Sequence, residues 1–276
     1  MDLLMILKAI ILGLVEGVTE FAPVSSTGHM IIVDDMWLKS GEVLTKHVAN
    51  TFKVVIQLGS ILAVVITFWD RFIGFLGLGP QGKHAVPGQG RLKLMPVIVG
   101  LIPAGVLGVL FNSYIDDHLF STITVLIGLV LGAVLMILAD LFGPKTPKTE
   151  TVDQITYKQA ITVGLVQCLS LWPGFSRSGS TISGGVLVGM SHRAAADFTF
   201  IMAVPIMAGA SFLSLMKNWH YLTVADLPFF IAGFISAFLF ALISIRFFLK
   251  LINKVKLIPF AVYRILLAIV IYFIYF

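Results

Sequence analysis

Two clusters of polar and ionisable residues interrupt a strongly apolar chain. The first runs Glu16-Gly17-Val18-Thr19-Glu20 and then Pro23-Val24-Ser25-Ser26-Thr27-Gly28-His29. The second runs Trp172-Pro173-Gly174-Phe175-Ser176-Arg177-Ser178-Gly179-Ser180-Thr181. Each follows an apolar helical run, contains a proline and ends in a hydroxyl-rich turn with a glycine. One copy carries two carboxylates and a histidine; the other carries an arginine. Ionisable groups in a bilayer are costly and usually mark function. Carboxylates, histidine, serines and arginine brought together suit chemistry on a phosphate.

Glu16 and Glu20 are four residues apart, so a helix places both carboxylates on one face. Two buried carboxylates do not both ionise cheaply without a cation, and a phosphate beside them adds to the repulsion. The expected solution is a divalent cation, Mg²⁺ or Ca²⁺, held by Glu16 and Glu20 together with substrate phosphates. The plainer alternative is a pair of glutamates at a helix end facing water, against which Leu14, Val15, Val18 and Phe21 argue for burial. His29 could act as a general base, as a third metal ligand or as a structural residue. Ser26 is a candidate nucleophile activated by a neighbouring base. Either Ser25 or Ser26 could instead cap a helix. Ser25 and Thr27 are candidate phosphate contacts.

In the second cluster Arg177 keeps its charge and can fork onto phosphate oxygens. The alternatives are a structural ion pair or an arginine reaching to the membrane surface. Ser176 and Ser178 offer hydroxyls beside it. Gly174 and Gly179 allow a tight turn with N–H groups aimed at an anion. Thr181 is expected to begin the following helix and to contact phosphate there. Gln167 stands where the first copy has Glu16, and Leu171 where it has Glu20. The second copy has thus lost the acids and gained the arginine, as a site lying between the copies would require.

The elements that position these residues belong to a membrane protein. Mean hydropathy is +1.00, and 58% of residues are hydrophobic against 12% charged, about half the charge of a soluble domain. The net charge of +5 contains no basic arm, so no nucleic-acid partner is expected. The segment from Met1 to Val15 lacks a basic start and runs into the first cluster, so no cleavable signal is expected. Cys168 is the single cysteine, which excludes an internal disulfide and a cysteine zinc site. Phenylalanine occurs 22 times, which suits lipid-facing helices or a groove for a lipid tail. Six segments are long and apolar enough to span: about 48–69, 94–111, 121–141, 195–216, 228–248 and 258–276. Pro103 and Pro205 are expected to kink two of them. Gln57 is expected to line the site or bond a neighbouring helix. Residues 3–33 and 156–192 are broken by proline, glycine and the polar clusters, and read as re-entrant hairpins.

Basic residues orient the spans. Arg71, Lys83, Arg91 and Lys93 in one loop, Lys145, Lys148 and Lys158 in another, and Arg246, Lys250, Lys254 and Lys256 in a third mark the cytoplasmic side. Asp116 and Asp117 mark the outer side. The first hairpin then enters from outside and the second from the cytoplasm. Each half holds one hairpin and three spans, so two inverted repeats, about 1–145 and 155–276, make a single domain over 1–276. Echoes of His47 and Phe52 in His192 and Phe198 accompany the repeat. In such architectures broken helices meet near the midplane, which keeps a flippase or transporter of a phosphorylated lipid as the alternative to an enzyme. Gly128 and Gly132 have a spacing that supports helix packing within one subunit or between two, so a homodimer is a further expectation.

At these residues the chain resembles the undecaprenyl-diphosphatase family, also called bacitracin-resistance proteins. The likeness extends over essentially the whole length. It is carried by the glutamate motif 16–20, the block 23–29 and Pro173-Gly174-Phe175-Ser176-Arg177-Ser178-Gly179, with further likeness across Phe52-Lys53-Val54-Val55-Ile56-Gln57-Leu58-Gly59-Ser60. The resemblance implies an integral phosphatase of the bacterial inner membrane. It implies a divalent cation, an inverted repeat and a site opening to the periplasm. The substrate would be undecaprenyl diphosphate, hydrolysed to undecaprenyl phosphate to recycle the carrier for peptidoglycan and other wall polymers. Bacitracin resistance would follow, because bacitracin sequesters the same lipid. The combined expectation is an all-α polytopic enzyme with six transmembrane helices and two hairpins. In it Arg177, Ser176, Ser178 and Thr181 hold phosphate, Glu16 and Glu20 hold metal or position a proton, and Ser26 or water attacks with His29 as base.

Overall fold

The computed structural model describes residues 3–76, 92–119 and 121–276. Among them the regular elements are helices, apart from one isolated parallel bridge between Thr149 and Met190. In chain order they are α1 (Leu3–Thr19), α2 (Ser26–Met30), α3 (Ser40–Val43), α4 (Lys46–Val55), α5 (Gln57–Thr67), α6 (Trp69–Phe75), α7 (Leu94–Leu110), α8 (Asn112–His118), α9 (Thr122–Phe142), α10 (Tyr157–Gln167), α11 (Arg177–Leu187), α12 (His192–Asn218), α13 (Leu227–Val255) and α14 (Ile258–Tyr275). The basic residues Lys83 and Arg91 lie outside the described residues.

Among the described residues five stretches are long and apolar enough to cross a membrane: His47–Thr67, Thr122–Phe142, His192–Tyr221, Val224–Val255 and Ile258–Tyr275. The sixth expected segment is α7, an apolar helix of 17 residues, about 25 Å long at the helical rise. The expected span 48–69 is not one uniform helix, because it breaks between Val55 and Gln57 into α4 and α5. Pro103 lies inside α7 and Pro205 inside α12, and both helices continue past them.

Caps in the sequence fix several starts. Ser121 accepts from the Thr124 amide before α9, Ser191 from that of Ala194 before α12, and Thr45 from that of Val48 before α4. Each satisfies an orphan donor of the first turn. Large apolar side chains on the outer faces stay uncovered, among them Ile102, Val109, Leu131, Ile243, Phe247 and Leu266. So wide an exposed apolar surface suits lipid, not water.

The two broken regions are each a pair of short helices joined by a polar turn, α1 with α2 and α10 with α11. α1 lies along α13, and α10 lies along α7. Both contacts are backbone-close. A Cβ on Gly17 would meet the Ala237 carbonyl and the Ala241 amide, and one on Gly164 would meet the Gly100 backbone. α5 packs on both α12 and α13, and α9 pairs with α14. The fully buried rings of Phe21 and Phe200 meet edge to face at 4.9 Å, between the first turn and α12. At the other end, Asp140 of α9 accepts from the Leu257 and Ile258 amides and pairs with His192 at 2.7 Å, tying α9, α12 and α14 together. His47, by contrast, stacks on Tyr221 at 4.3 Å, so the two histidines of the sequence echo have different surroundings.

Candidate active site between two broken helices

The two turns have the same local construction. Ser25 (φ 70°) precedes α2 and accepts from the Gly28 amide at 3.4 Å. Ser176 (φ 72°) precedes α11 and accepts from the Gly179 amide at 3.1 Å. A non-glycine residue at positive φ is uncommon, and here the strained serine oxygen closes the first helical turn in both places. Ser25 and Ser176 therefore serve as caps, and Ser26 and Arg177 occupy the matching next positions.

The turns bring the charged residues together. Arg177 Nη2 donates to Glu20 Oε1 at 3.0 Å, and Ser26 Oγ donates to Glu20 Oε2 at 2.7 Å. Both oxygens of Glu20 are thus engaged, one by a cation and one by a hydroxyl. Arg177 Nη1 also donates to the Thr199 carbonyl at 3.1 Å, and the guanidinium lies 5.9 Å from the Phe21 ring centre. Ser178 Oγ reaches across to the Ala22 carbonyl at 3.2 Å, a direct bond between the two turns. The side chains of Arg177 and Glu20 are 13% and 10% exposed, so the pair is nearly dry and weakly screened by solvent.

Glu16 is 1% exposed, and its Oε1 has no hydrogen-bond partner. Glu20, one helical turn on, is the carboxylate that neighbours it. A buried carboxylate oxygen beside a second carboxylate calls for a proton or a cation. That donor set suits a hard divalent cation. The described residues contain no cluster of three metal-ligating His, Cys, Asp or Glu side chains, so the remaining ligands would come from substrate oxygens and water.

His29 stands apart from Ser26's hydroxyl. Its Nδ1 faces the Ser25 carbonyl at 2.8 Å and its Nε2 the Tyr263 hydroxyl at 2.7 Å. The expected Ser26–His29 pairing is replaced by Ser26–Glu20, because the Ser25 carbonyl and the Tyr263 hydroxyl engage both ring nitrogens of His29 while Glu20 faces Ser26 across the turn. Thr27 is half-buried beside them. Thr181 does not begin the next helix as expected: α11 starts at Arg177, capped by Ser176. Thr181 is fully buried in the second turn, donates to the Arg177 carbonyl at 2.8 Å and accepts from Thr199 at 2.8 Å. It thereby links α11 to α12 behind the site. Gln57 begins α5 and is half-buried.

Tyr263 and Arg264 are parts of this neighbourhood that sequence reasoning passed over. Arg264 carried an available signal, being an arginine in the middle of an apolar span, the same rule that singled out Arg177. Tyr263 had no such signal, since an uncharged aromatic residue within an apolar span is ordinary. Gly128 and Gly132 face inward. A Cβ on the first would meet the Pro173 carbonyl, and one on the second would meet Arg264 and the Phe175 carbonyl. Their spacing serves packing within the chain.

Comparison with known proteins extends this picture. The profile of the family described as Bacitracin resistance protein BacA matches residues 9–270. A protein of Geobacillus sp. (strain WCH70) named undecaprenyl-diphosphatase is 79% identical over 276 residues, all of both chains. One of the same name from Geobacillus thermodenitrificans (strain NG80-2) is 75% identical over 276 residues, again all of both chains. A third, from Bacillus subtilis (strain 168), is 62% identical over 262 residues, 95% of each chain.

Proposed function

The chain belongs to the bacitracin resistance protein BacA family, and we propose that Glu16, Glu20, Ser26 and Arg177 form the centre at which it works. Its activity is that of an undecaprenyl-diphosphatase, which recycles undecaprenyl phosphate and is linked to bacitracin resistance. The observation that carries the site is Glu20, held by Arg177 on one oxygen and by Ser26 on the other. A carboxylate that accepts a serine proton at 2.7 Å is placed to act as its base.

In the proposed reaction Ser26 Oγ attacks the terminal phosphorus and its proton passes to Glu20. The bond from that phosphorus to the bridging oxygen breaks, and undecaprenyl phosphate leaves. Water then attacks the phosphoserine phosphorus, the bond from Ser26 Oγ to phosphorus breaks, Glu20 returns the proton to Oγ, and phosphate carrying the water oxygen leaves. Arg177 leaves its pairing with Glu20 to bind the phosphoryl oxygens, stabilising charge that spreads in the transition state. The hydroxyl of Ser178 and the open first-turn amides of α11 lie beside that charge. Glu16 and Glu20 would hold Mg²⁺ or Ca²⁺, which when bound neutralises diphosphate oxygens. His29, held by Tyr263, fixes the Ser25 turn on which Ser26 stands.

The wider architecture we infer is six spans and two re-entrant hairpins in an inverted repeat. Support comes from matched packing, α1 on α13 and α10 on α7, and from the twin capped turns at Ser25 and Ser176. The distribution of Lys and Arg supports an orientation in which the first broken region enters from the outer side; a cytoplasmic-membrane setting with the site open to the periplasm is what the family resemblance implies. The polyprenyl tail would lie along the bilayer. A lipid flippase is the less favoured reading, since base, nucleophile and phosphate ligand already meet and the relatives compared carry a phosphatase name. The test is phosphate release from undecaprenyl diphosphate by the purified chain in detergent, with Mg²⁺ or Ca²⁺ and then with excess chelator. Release abolished by Glu20→Gln supports the site; near-normal release by that variant overturns it.

A further inference from the structure

The reaction above makes no use of Arg264, although it is among the most unusual residues of the molecule. It sits in α14, fully buried, and no described carboxylate pairs with it. Its Nη2 donates to three backbone carbonyls: Gly128 of α9 at 3.2 Å, Gly174 at 2.9 Å and Phe175 at 2.9 Å. Its Nη1 has only the Met136 sulfur, at 3.4 Å, and its Nε has no partner. A desolvated cation without a counter-ion is expensive, and a neutral side chain would normally be the cheaper way to fill the space.

What the guanidinium grips explains the arrangement. Gly174 (φ +87°) and Ser176 (φ +72°) flank Phe175, so the chain twists sharply just before α11. Arg264 holds both carbonyls of that twist. The peptide between Phe175 and Ser176 is planar, with its N–H opposed to its C=O. With the Phe175 carbonyl turned to Arg264, the Ser176 amide points to the other side. The amides of Arg177 and Ser178 follow as open donors of the helix start. On the far side of the turn Arg177 and Ser178 already reach the first hairpin at Glu20 and Ala22.

We propose that Arg264 is a positioning residue for the phosphatase reaction: by clamping the Gly174 and Phe175 carbonyls it aims the Arg177-bearing turn at the substrate phosphate. This rests on Arg177 being the phosphate ligand. Lysine, with three donors on a point charge, can reach part of the same set. Methionine fills the volume and leaves the carbonyls unheld. Gly132 supplies an independent lever. A Cβ there would press on the Arg264 guanidinium and the Phe175 carbonyl, displacing the clamp while keeping its charge.

The experiment compares full-length Arg264→Met, Arg264→Lys and Gly132→Ala with the unaltered chain in detergent. It measures kcat and KM for undecaprenyl diphosphate, with the folded fraction from gel filtration and thermal melting. Expected for Arg264→Met is a fall of about 100-fold in kcat per folded molecule, the scale of a misplaced catalytic group, with KM changed by less than about threefold. Arg264→Lys should recover part of that loss, and Gly132→Ala should lower kcat about tenfold with KM held. A merely structural Arg264 would lower the folded fraction and leave kcat per folded molecule unchanged, which overturns the proposal. If Arg264→Met yields no folded protein, undiminished kcat in both other variants overturns it. Inactive wild-type chain would instead overturn the site reading on which the proposal stands.

Discussion

Glu20 and Arg177 lie 157 positions apart in the chain and meet at 3.0 Å. Glu20 lies in the turn that follows α1, and Arg177 is the first residue of α11. The pair joins the two broken regions, and Ser26 completes it from the other oxygen of Glu20. In the proposed reaction substrate phosphate would compete with Glu20 for the guanidinium, and binding would free the carboxylate to receive the serine proton.

The first consequence concerns the nucleophile. With Ser26 attacking, acid quenching during turnover should trap phosphate covalently on the protein, and Ser26→Ala should trap none. Turnover by Ser26→Ala should fall at least about 100-fold. Rapid turnover by Ser26→Ala with no trapped phosphate would assign the attack to water.

Arg177 is expected to resist conservative replacement. Arg177→Lys keeps the charge but loses the fork that spans phosphate and the Thr199 carbonyl. The expected loss in kcat is about 100-fold or more, comparable to removing one transition-state donor. Steady-state phosphate release in folded protein checks it, and a loss below about threefold would remove Arg177 from the transition state.

Glu16 should report on the cation. Its unpartnered Oε1 is the free ligand of the pair, so Glu16→Gln should raise the Mg²⁺ concentration for half-maximal activity by about tenfold or more. A Mg²⁺ titration of the variant decides it. An unchanged midpoint with lower kcat would give Glu16 to proton transfer instead.

Tyr263 separates holding from chemistry at His29. Tyr263→Phe removes one hydrogen bond to the ring, about 1 kcal/mol, and should cost about fivefold in kcat. His29→Ala also releases the Ser25 carbonyl and should cost more. Parallel kinetics on both variants test the order; a larger loss from Tyr263→Phe would place the tyrosine hydroxyl itself on the substrate.

Stability should depend on close backbone contact at α1. Gly17→Ala drives a Cβ into the Ala237 carbonyl and the Ala241 amide, where backbone cannot move aside. The expected cost is about 1–3 kcal/mol, read as a lower melting temperature in detergent. An unshifted melt would show that α1 moves freely on α13.

Much of this was written in the residues themselves. The apolar segments and the two broken regions are local matters of hydropathy and proline placement, and they read directly from the chain, five as stretches long enough to span and one as the shorter α7. So did the candidate chemistry, because glutamates, an arginine and serines are too costly in an apolar setting to be incidental. The tertiary structure decided who pairs with whom. Ser26 donates to Glu20 and not to His29, since the turn at 20–25 folds back while His29 points to α14, a partner more than 200 residues away in sequence. Thr181 moved from a helix start to a buried brace, because the positive-φ Ser176 starts α11 earlier than the threonine. Gly128 and Gly132, whose spacing fits either partner, pack against the second turn and Arg264 of their own chain. Arg264 itself gains its meaning only there, for spacing along one chain says nothing of the three carbonyls that two other segments bring to a single nitrogen.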